Sequence, residues 1–298
     1  SSNNLLLPLN IKDMKDEFLN INHKTKIITL LGEKIFIKNS ILVPKEYTLE
    51  ITSKNKEIYF DNDSYLLIEG KIIAKGEKNS RIRFTSAQTS TGAIIINSID
   101  KESNFNYVSF DNLGSPKLLT EKFTGALTIY ESNILISNSE FINNKRGDDY
   151  LNAIRSNVNF KNLSFKNVIS DGIDLDFCNG YLDTIYFDNI NNDALDFSGS
   201  NIQVKNIFAN NIGDKGISVG EKSNINLENI QIQNSSIAIA SKDSSKVKIK
   251  KPTLKLNKVD YAAYNKKPEF KGGKIFISDY KNKSNLLLKD QKSKIVYE

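Results

Sequence analysis

The sequence predicts an all-β chain, a right-handed single-stranded parallel β-helix with coils of about 22 residues and a short capping helix at its N-terminus. Three observations predict it. Ser-Asn followed by an apolar residue recurs at Ser132-Asn133-Ile134, Ser156-Asn157-Val158, Ser200-Asn201-Ile202 and Ser223-Asn224-Ile225. Cys178-Asn179 fills the one gap and Ser245-Lys246-Val247 continues the series, at steps of 22 to 24 residues. A second column, Asn167, Asn189, Asn211 and Asn234, keeps the same step. Between these markers lie short runs of alternating apolar residues rich in β-branched and aromatic types, three to a repeat, which is the period of a strand.

Stacked in register, such coils lie about 4.8 Å apart, so equivalent residues stand above one another. An inward Asn at each bend is then expected to hydrogen-bond along the column and satisfy buried polar groups. Inward residues include Val158, Phe160, Leu163 and Phe165, and Ile173, Leu175 and Phe177 in the run Ile173–Phe177. The earlier chain carries the same short runs at looser spacing: 35–37, 41–43, 47–51, 58–60, 65–68 and 82–84. In residues 8–20, Ile11, Met14, Phe18 and Leu19 fall on one helical face behind Asn10, a good N-cap, and this segment is expected to be the capping helix. Segment 114–124 reads as a projecting loop, and 271–298 as a final strand pair or covering segment. No linker interrupts the chain, so residues 1–298 are expected to be one domain, with other domains of a longer parent chain admitted as partners.

Composition removes several function classes. One cysteine, Cys178, excludes an intrachain disulfide and a cysteine-rich zinc module. One histidine, His23, leaves no paired-histidine metal chemistry. No apolar stretch approaches the roughly 20 residues of a membrane span, and SSNNLLLPLN lacks the features of a signal peptide. The net charge of +6 hides an asymmetry: residues 242–298 hold 16 Lys and 6 acids, whereas residues 1–241 hold 25 basic and 29 acidic residues. Four arginines and no recognised module argue against nucleic acid. The 38 Asn, 39 Ile and 37 Lys also match the codon bias of an AT-rich genome, which explains their number and not their placement.

The candidate chemistry lies in acidic columns. In the repeat register Asp149, Asp171, Asp193 and Lys215 share one column. Asn152, Asp174, Asp196 and Ser218 share the next, and Asp176 belongs to a third. Like charges on adjacent strands are unfavourable, so stacked carboxylates ask for a cation, a raised pKa or a basic partner. Three readings stay open. The patch is a solvated acidic surface; or Asp149, Asp171, Asp174, Asp176, Asp193 and Asp196 hold a Ca²⁺ ion; or Asp171, Asp174, Asp193 and Asp196, with Arg155 and Lys215, catalyse. Paired carboxylates suit glycoside hydrolysis, and Ca²⁺ with a Lys or Arg base suits a polysaccharide lyase.

The whole chain resembles the pectin-lyase-like superfamily of parallel β-helix proteins. Residues 125–270 also resemble the β-helix region of bacterial CotH-type multidomain proteins, through Asp171–Phe177, Asn192–Ser200, Gly213–Ser223, Ile239–Asp243 and Ala262–Phe270. Gly147-Asp148-Asp149 is similar to one motif of polygalacturonase-like hydrolases; their Gly-His-Gly and Arg-x-Lys motifs are missing, and His23 does not match the histidine of alginate-epimerase-like members. The resemblance implies an extracellular, cell-surface or periplasmic protein. The expected function is a module that binds a polysaccharide or surface partner along an elongated face, with Ca²⁺ at the acidic column. The alternative is a polysaccharide-degrading enzyme, a Ca²⁺-dependent lyase or a hydrolase using paired Asp.

Overall fold

The computed structural model describes residues 8–52, 56–87, 90–116 and 123–298, and these form a parallel β-solenoid. By their contacts the residues divide into two compact units, Ser1–Asn152 and Ala153–Glu298.

The second unit follows the repeat closely. Each coil contributes up to three short strands, which stack into three faces. On face A, Asn157, Asn179, Asn201, Asn224, Lys246, Lys274 and Lys294 pair in succession, all parallel. Face B stacks Leu163, Ile185, Ile207, Ile230 and Pro252. Face C stacks Ile173, Leu195, Ile217, Ile239, Tyr261 and Leu287. The first steps on face A are 22, 22, 23 and 22 residues, as the Ser-Asn column requires. Phe160, Phe165, Phe187 and Phe197 are fully buried among Ile, Leu and Val from the three faces. Burial of each such side chain contributes about 1.5–3 kcal/mol.

The inward asparagine ladder expected at the bends is corrected. Asn167, Asn189, Asn211 and Asn234 are exposed and do not point inward. Each adopts a left-handed backbone (φ 54 to 59°) that turns the chain off face B. Asn tolerates that conformation better than other non-glycine residues. Its amide then runs along the outside, as where Asn189 Nδ2 donates to Asn167 Oδ1 at 2.9 Å. A similar left-handed column, including Asn206 and Asn229, turns face A into face B, and Asn229 Nδ2 donates to Asn206 Oδ1 at 2.6 Å. The buried ladder is made by serine: Ser200 Oγ accepts from Cys178 N, and Ser223 Oγ accepts from Ser200 N, both at 2.9 Å. Ser200 Oγ also donates to Leu175 O at 2.8 Å. A small hydroxyl that both donates and accepts fits inside a tight corner where an amide would not.

Cys178 occupies this serine column, buried and free, with Sγ 3.3 Å from Ala153 O. Residues 271–298 continue the stack: Lys274–Ser278 and Lys294–Tyr297 extend face A, and Leu287–Lys289 extends face C.

The first unit stacks in the same way with longer excursions. Ile35 pairs with Ile58, Ile58 with Phe84, and Phe84 with Phe110. The rings of Phe60, Phe84, Phe110 and Phe141 stack in file, centroids 6.4, 5.7 and 4.5 Å apart. One hairpin is antiparallel, Leu19–Asn22 with Ile27–Leu30. His23, beside it, hydrogen-bonds the Tyr47 hydroxyl through Nδ1 at 2.8 Å, a structural contact.

The expected helix over residues 8–20 is corrected. Leu9–Asn10 is a strand paired with Ile41–Val43, Ile11–Asp13 is a single 3-10 turn, and Leu19 begins the hairpin. Asn10 does cap that turn, accepting from Lys12 N at 3.3 Å. Strand pairing outcompetes the amphipathic pattern because Leu9 N–H reaches Ser40 O, and Ile11 alone then supplies the buried contact. Among the described residues there is no α-helix. Of the expected loop 114–124, residues 117–122 lie outside the described residues; Gly114 bridges Arg146 and Ser115 is buried.

Ser200→Ala removes the acceptor of a buried amide and is expected to cost about 1–3 kcal/mol in urea unfolding followed by circular dichroism. Cys178→Ser restores the column and should change stability by less than about 1 kcal/mol. Burial pushes the Cys178 thiol up to about 12. A thiol reagent at pH 8 should therefore label the protein only after denaturant is added.

Candidate functional site

Face C of the second unit carries most of the predicted residues. Strand Asp171–Asp176 points Ile173 and Leu175 into the core and Asp174 and Asp176 outward. Asp174 pairs in register with Asp196, and Asp196 with Ser218. Phe177 does not point inward as the alternation suggested. Its backbone turns left-handed (φ 54°), and the side chain is 53% exposed. The ring lies over Gly199, 2.5 Å from where a Cβ would stand, so any larger residue at 199 would displace it. Gly199 is itself left-handed (φ 60°), a second reason for glycine there.

At the start of the strand the expected column Asp171, Asp193, Lys215 forms. Asp171 Oδ1 accepts from Asp193 N at 2.9 Å and from Asn192 Nδ2 at 2.6 Å. Asp193, 3% exposed, accepts from Lys215 N at 3.0 Å and from Lys215 Nζ at 3.3 Å. Lys215 Nζ also binds Asp214, a partner the column pattern did not reveal because it stands one residue before it. Burial pushes the Asp171 carboxyl up to about 7; the nearby Asp193 and Asp196 charges act the same way, against the hydrogen bonds from Asp193 N and Asn192. Asp193 is also raised, burial outweighing the attraction of Lys215. Burial acts to lower Lys215, yet Asp193 and Asp214 together hold it above its ordinary value, so it stays charged. A lysine held in this way is a poor base and a good electrostatic anchor.

Two further groups join face C from later coils. Lys242, almost buried, passes over Gly220 and brings Nζ to 4.0 Å from Asp196 Oδ1. Tyr264 is raised by burial and feels the charges of Lys215, Asp214 and Asp193. Tyr261, on the same strand, is buried in the core. Neither Lys242 nor Tyr264 matches the acidic columns; only the length of a lysine or tyrosine side chain, not the repeat, places them there.

The remaining predicted residues lie elsewhere. Arg155 is exposed at the corner that follows strand Asp149–Ile154, and its N–H donates to Asp176 O at 2.8 Å. That is the far end of face C from Asp171, Asp193 and Lys215, about 20 Å along a strand rising ~3.3 Å per residue. Convergence of Arg155 with those residues is thus corrected. Asp149 belongs to the first unit, where it is buried at the start of its strand, and Asp148 before it is exposed. Among the described residues no three His, Cys, Asp or Glu side chains gather as a metal ion would need. No helix among them is long and apolar enough to cross a membrane.

Comparison with known proteins supports the fold. The chain is similar to the crystal structure of the periplasmic alginate epimerase AlgG, with a TM-score of 0.59 and 15% identity over 97% of this chain and 82% of that one. Singly and doubly substituted variants of that epimerase match at TM-scores of 0.55 and 0.53, with 12% and 14% identity and the same coverage. The class so defined is the parallel β-helix fold. No protein-family profile and no curated protein sequence matches the chain.

The raised Asp171 makes a signed prediction. Its folded pKa lies above its unfolded one, so the stability it contributes is complete below about pH 4 and is lost as pH rises through about 7. Asp171→Asn should make the fall of the melting temperature between pH 5 and 8 shallower than that of the native protein. An unchanged slope would show that Asp171 is ionised throughout.

Proposed function

We propose that the protein binds a polysaccharide of uncharged sugars across face C, and that it works outside the cytoplasm. The observation that carries this reading is the exposed Phe177 ring, packed against Gly199 at the rim of a face whose outward groups are Asp174, Asp176 and Asp196. A flat apolar ring accepts the C–H face of a pyranose, and ionised carboxylates accept hydrogen bonds from its hydroxyls. The face is net acidic, which disfavours an anionic polymer. The fold likeness to an alginate epimerase supports polysaccharide as the ligand class.

A second reading, glycoside hydrolysis, is favoured by one observation. Burial brings the Asp171 carboxyl up to about 7, the range of a general acid, beside an Asp193 that is ion-paired with Lys215. A lyase using Lys215 as base is less well supported, because Lys215 is tied to two carboxylates. A Ca²⁺ ion at Asp174 and Asp196 would complete its six to eight ligands with water or sugar oxygens.

The test is a panel of neutral and acidic polysaccharides, with Ca²⁺ and with chelator, read by calorimetry and by release of reducing or unsaturated ends. Binding to a neutral polymer should weaken about tenfold in Phe177→Ala, roughly 1.4 kcal/mol, with the melting temperature unchanged. Loss of product release in Asp171→Asn with binding retained would establish the hydrolase. Binding that ignores both Phe177→Ala and Asp196→Asn would remove face C from consideration.

A further inference from the structure

Face A of the second unit has chemistry of the opposite sign. Its outward positions in the last three coils are Lys246, Lys248 and Lys250; Lys274, Phe276 and Ser278; and Lys294, Val296 and Glu298. Five of these nine are lysine and one is acidic. Lys246, Lys274 and Lys294 stand directly in register, an arrangement of like charges that destabilises the free protein. Among the described residues no salt bridge neutralises any of the five lysines; Lys246 instead lies over the Phe276 ring, 5.4 Å from its centroid. The one ion pair on this groove, Lys205 with Glu228 at 3.9 Å, is half exposed and contributes little.

Of these nine, Lys248, Lys250, Phe276, Ser278 and Glu298 line an open groove of about 480 Å³ that crosses the coils, with Lys205 and Glu228 also in its wall; the Lys246, Lys274, Lys294 column lies outside it. Its floor is one register column: Tyr181, Gln203, Asn226, Lys248 and Phe276, each on the next coil. Successive coils are about 4.8 Å apart. That step is comparable to the length of one sugar unit in an extended chain. The column offers an aromatic ring at each end, two amides between them and a lysine beside Lys250.

We propose that face A is a track for an acidic polysaccharide carrying one carboxylate per sugar, laid along the solenoid axis, with Tyr181 and Phe276 under sugar rings and Lys248 and Lys250 on carboxylates. The amides of Gln203 and Asn226 meet hydroxyls. Rings spaced several coils apart do not suit continuous base stacking, and the groove holds no arginine, so a nucleic acid is the poorer fit. The track does not depend on the reading of face C: it uses other residues and a ligand of opposite charge.

The test uses the full chain with an oligogalacturonate of about six sugars, its methyl ester, and a single-stranded DNA of equal charge, at two salt concentrations. The oligogalacturonate should bind and weaken steeply with salt, and the ester should bind at least tenfold more weakly. Lys248→Glu with Lys250→Glu should abolish binding, Lys248→Arg with Lys250→Arg should retain it, and Tyr181→Ala should reduce it about threefold to tenfold without changing the salt dependence. Asp196→Asn on face C should leave it unchanged, which separates failure here from failure of the face C reading. No binding of the oligogalacturonate, equal binding of ester or DNA, or indifference to the lysine reversal would each overturn the proposal.

Discussion

Everything in the second unit depends on coils that stack in parallel with almost no slip. Backbone N–H and C=O groups have nowhere to bond within a coil of three short strands, so each must bond to the coil above or below. That requirement makes the repeat nearly constant in length. It also puts chemically equal residues in columns, and the columns decide the rest. Apolar columns fill the core, serine columns satisfy the corners, and asparagine columns supply the left-handed residue at which the chain turns. Where the spacing slips, between Ile212 and Lys215, the register shifts as well.

The same constraint explains how function is distributed. A column of like charges is costly, and the protein meets that cost differently on two faces. On face C the Asp171 and Asp193 column is relieved by Lys215, by hydrogen bonds and by a raised Asp171 pKa. On face A the lysine column is left without acidic partners and open to solvent. The first arrangement is internally compensated; the second calls for an anion from outside. One regular fold thus presents two surfaces of opposite character, and the overall charge of the chain describes neither.

Much of this was legible in the sequence, because a column is a sequence property. The 22-residue step, the strand runs, the Ser-Asn series with Cys178 in it, and the stacking of Asp171 under Asp193 and Lys215 are all properties of the sequence. What could not be read was whatever a column does not encode. The left-handed turn at Phe177 breaks the alternation and exposes a ring that pattern alone assigns to the core. The same left-handed turn explains the outward Asn167 and Asn189, whose side chains it directs away from the core. Arg155 shares the face but stands at its far end from Asp171, beside Asp176. Lys242 and Tyr264 reach face C by side-chain length. The N-terminal segment failed for a different reason: an amphipathic helix pattern in 8–20 competes with strand pairing to Ile41–Val43, and the pairing wins.

The most direct test of two oppositely charged working faces is covalent footprinting of the whole protein. Carboxylates are coupled with a carbodiimide and lysines are acetylated, each with and without neutral and acidic oligosaccharides, and labelling is read residue by residue by mass spectrometry. The account predicts that a neutral oligosaccharide protects Asp174, Asp176 and Asp196 while leaving Lys248 and Lys250 reactive, and that an acidic one does the reverse. Protection of both sets by one ligand, or of neither set by any, would contradict it.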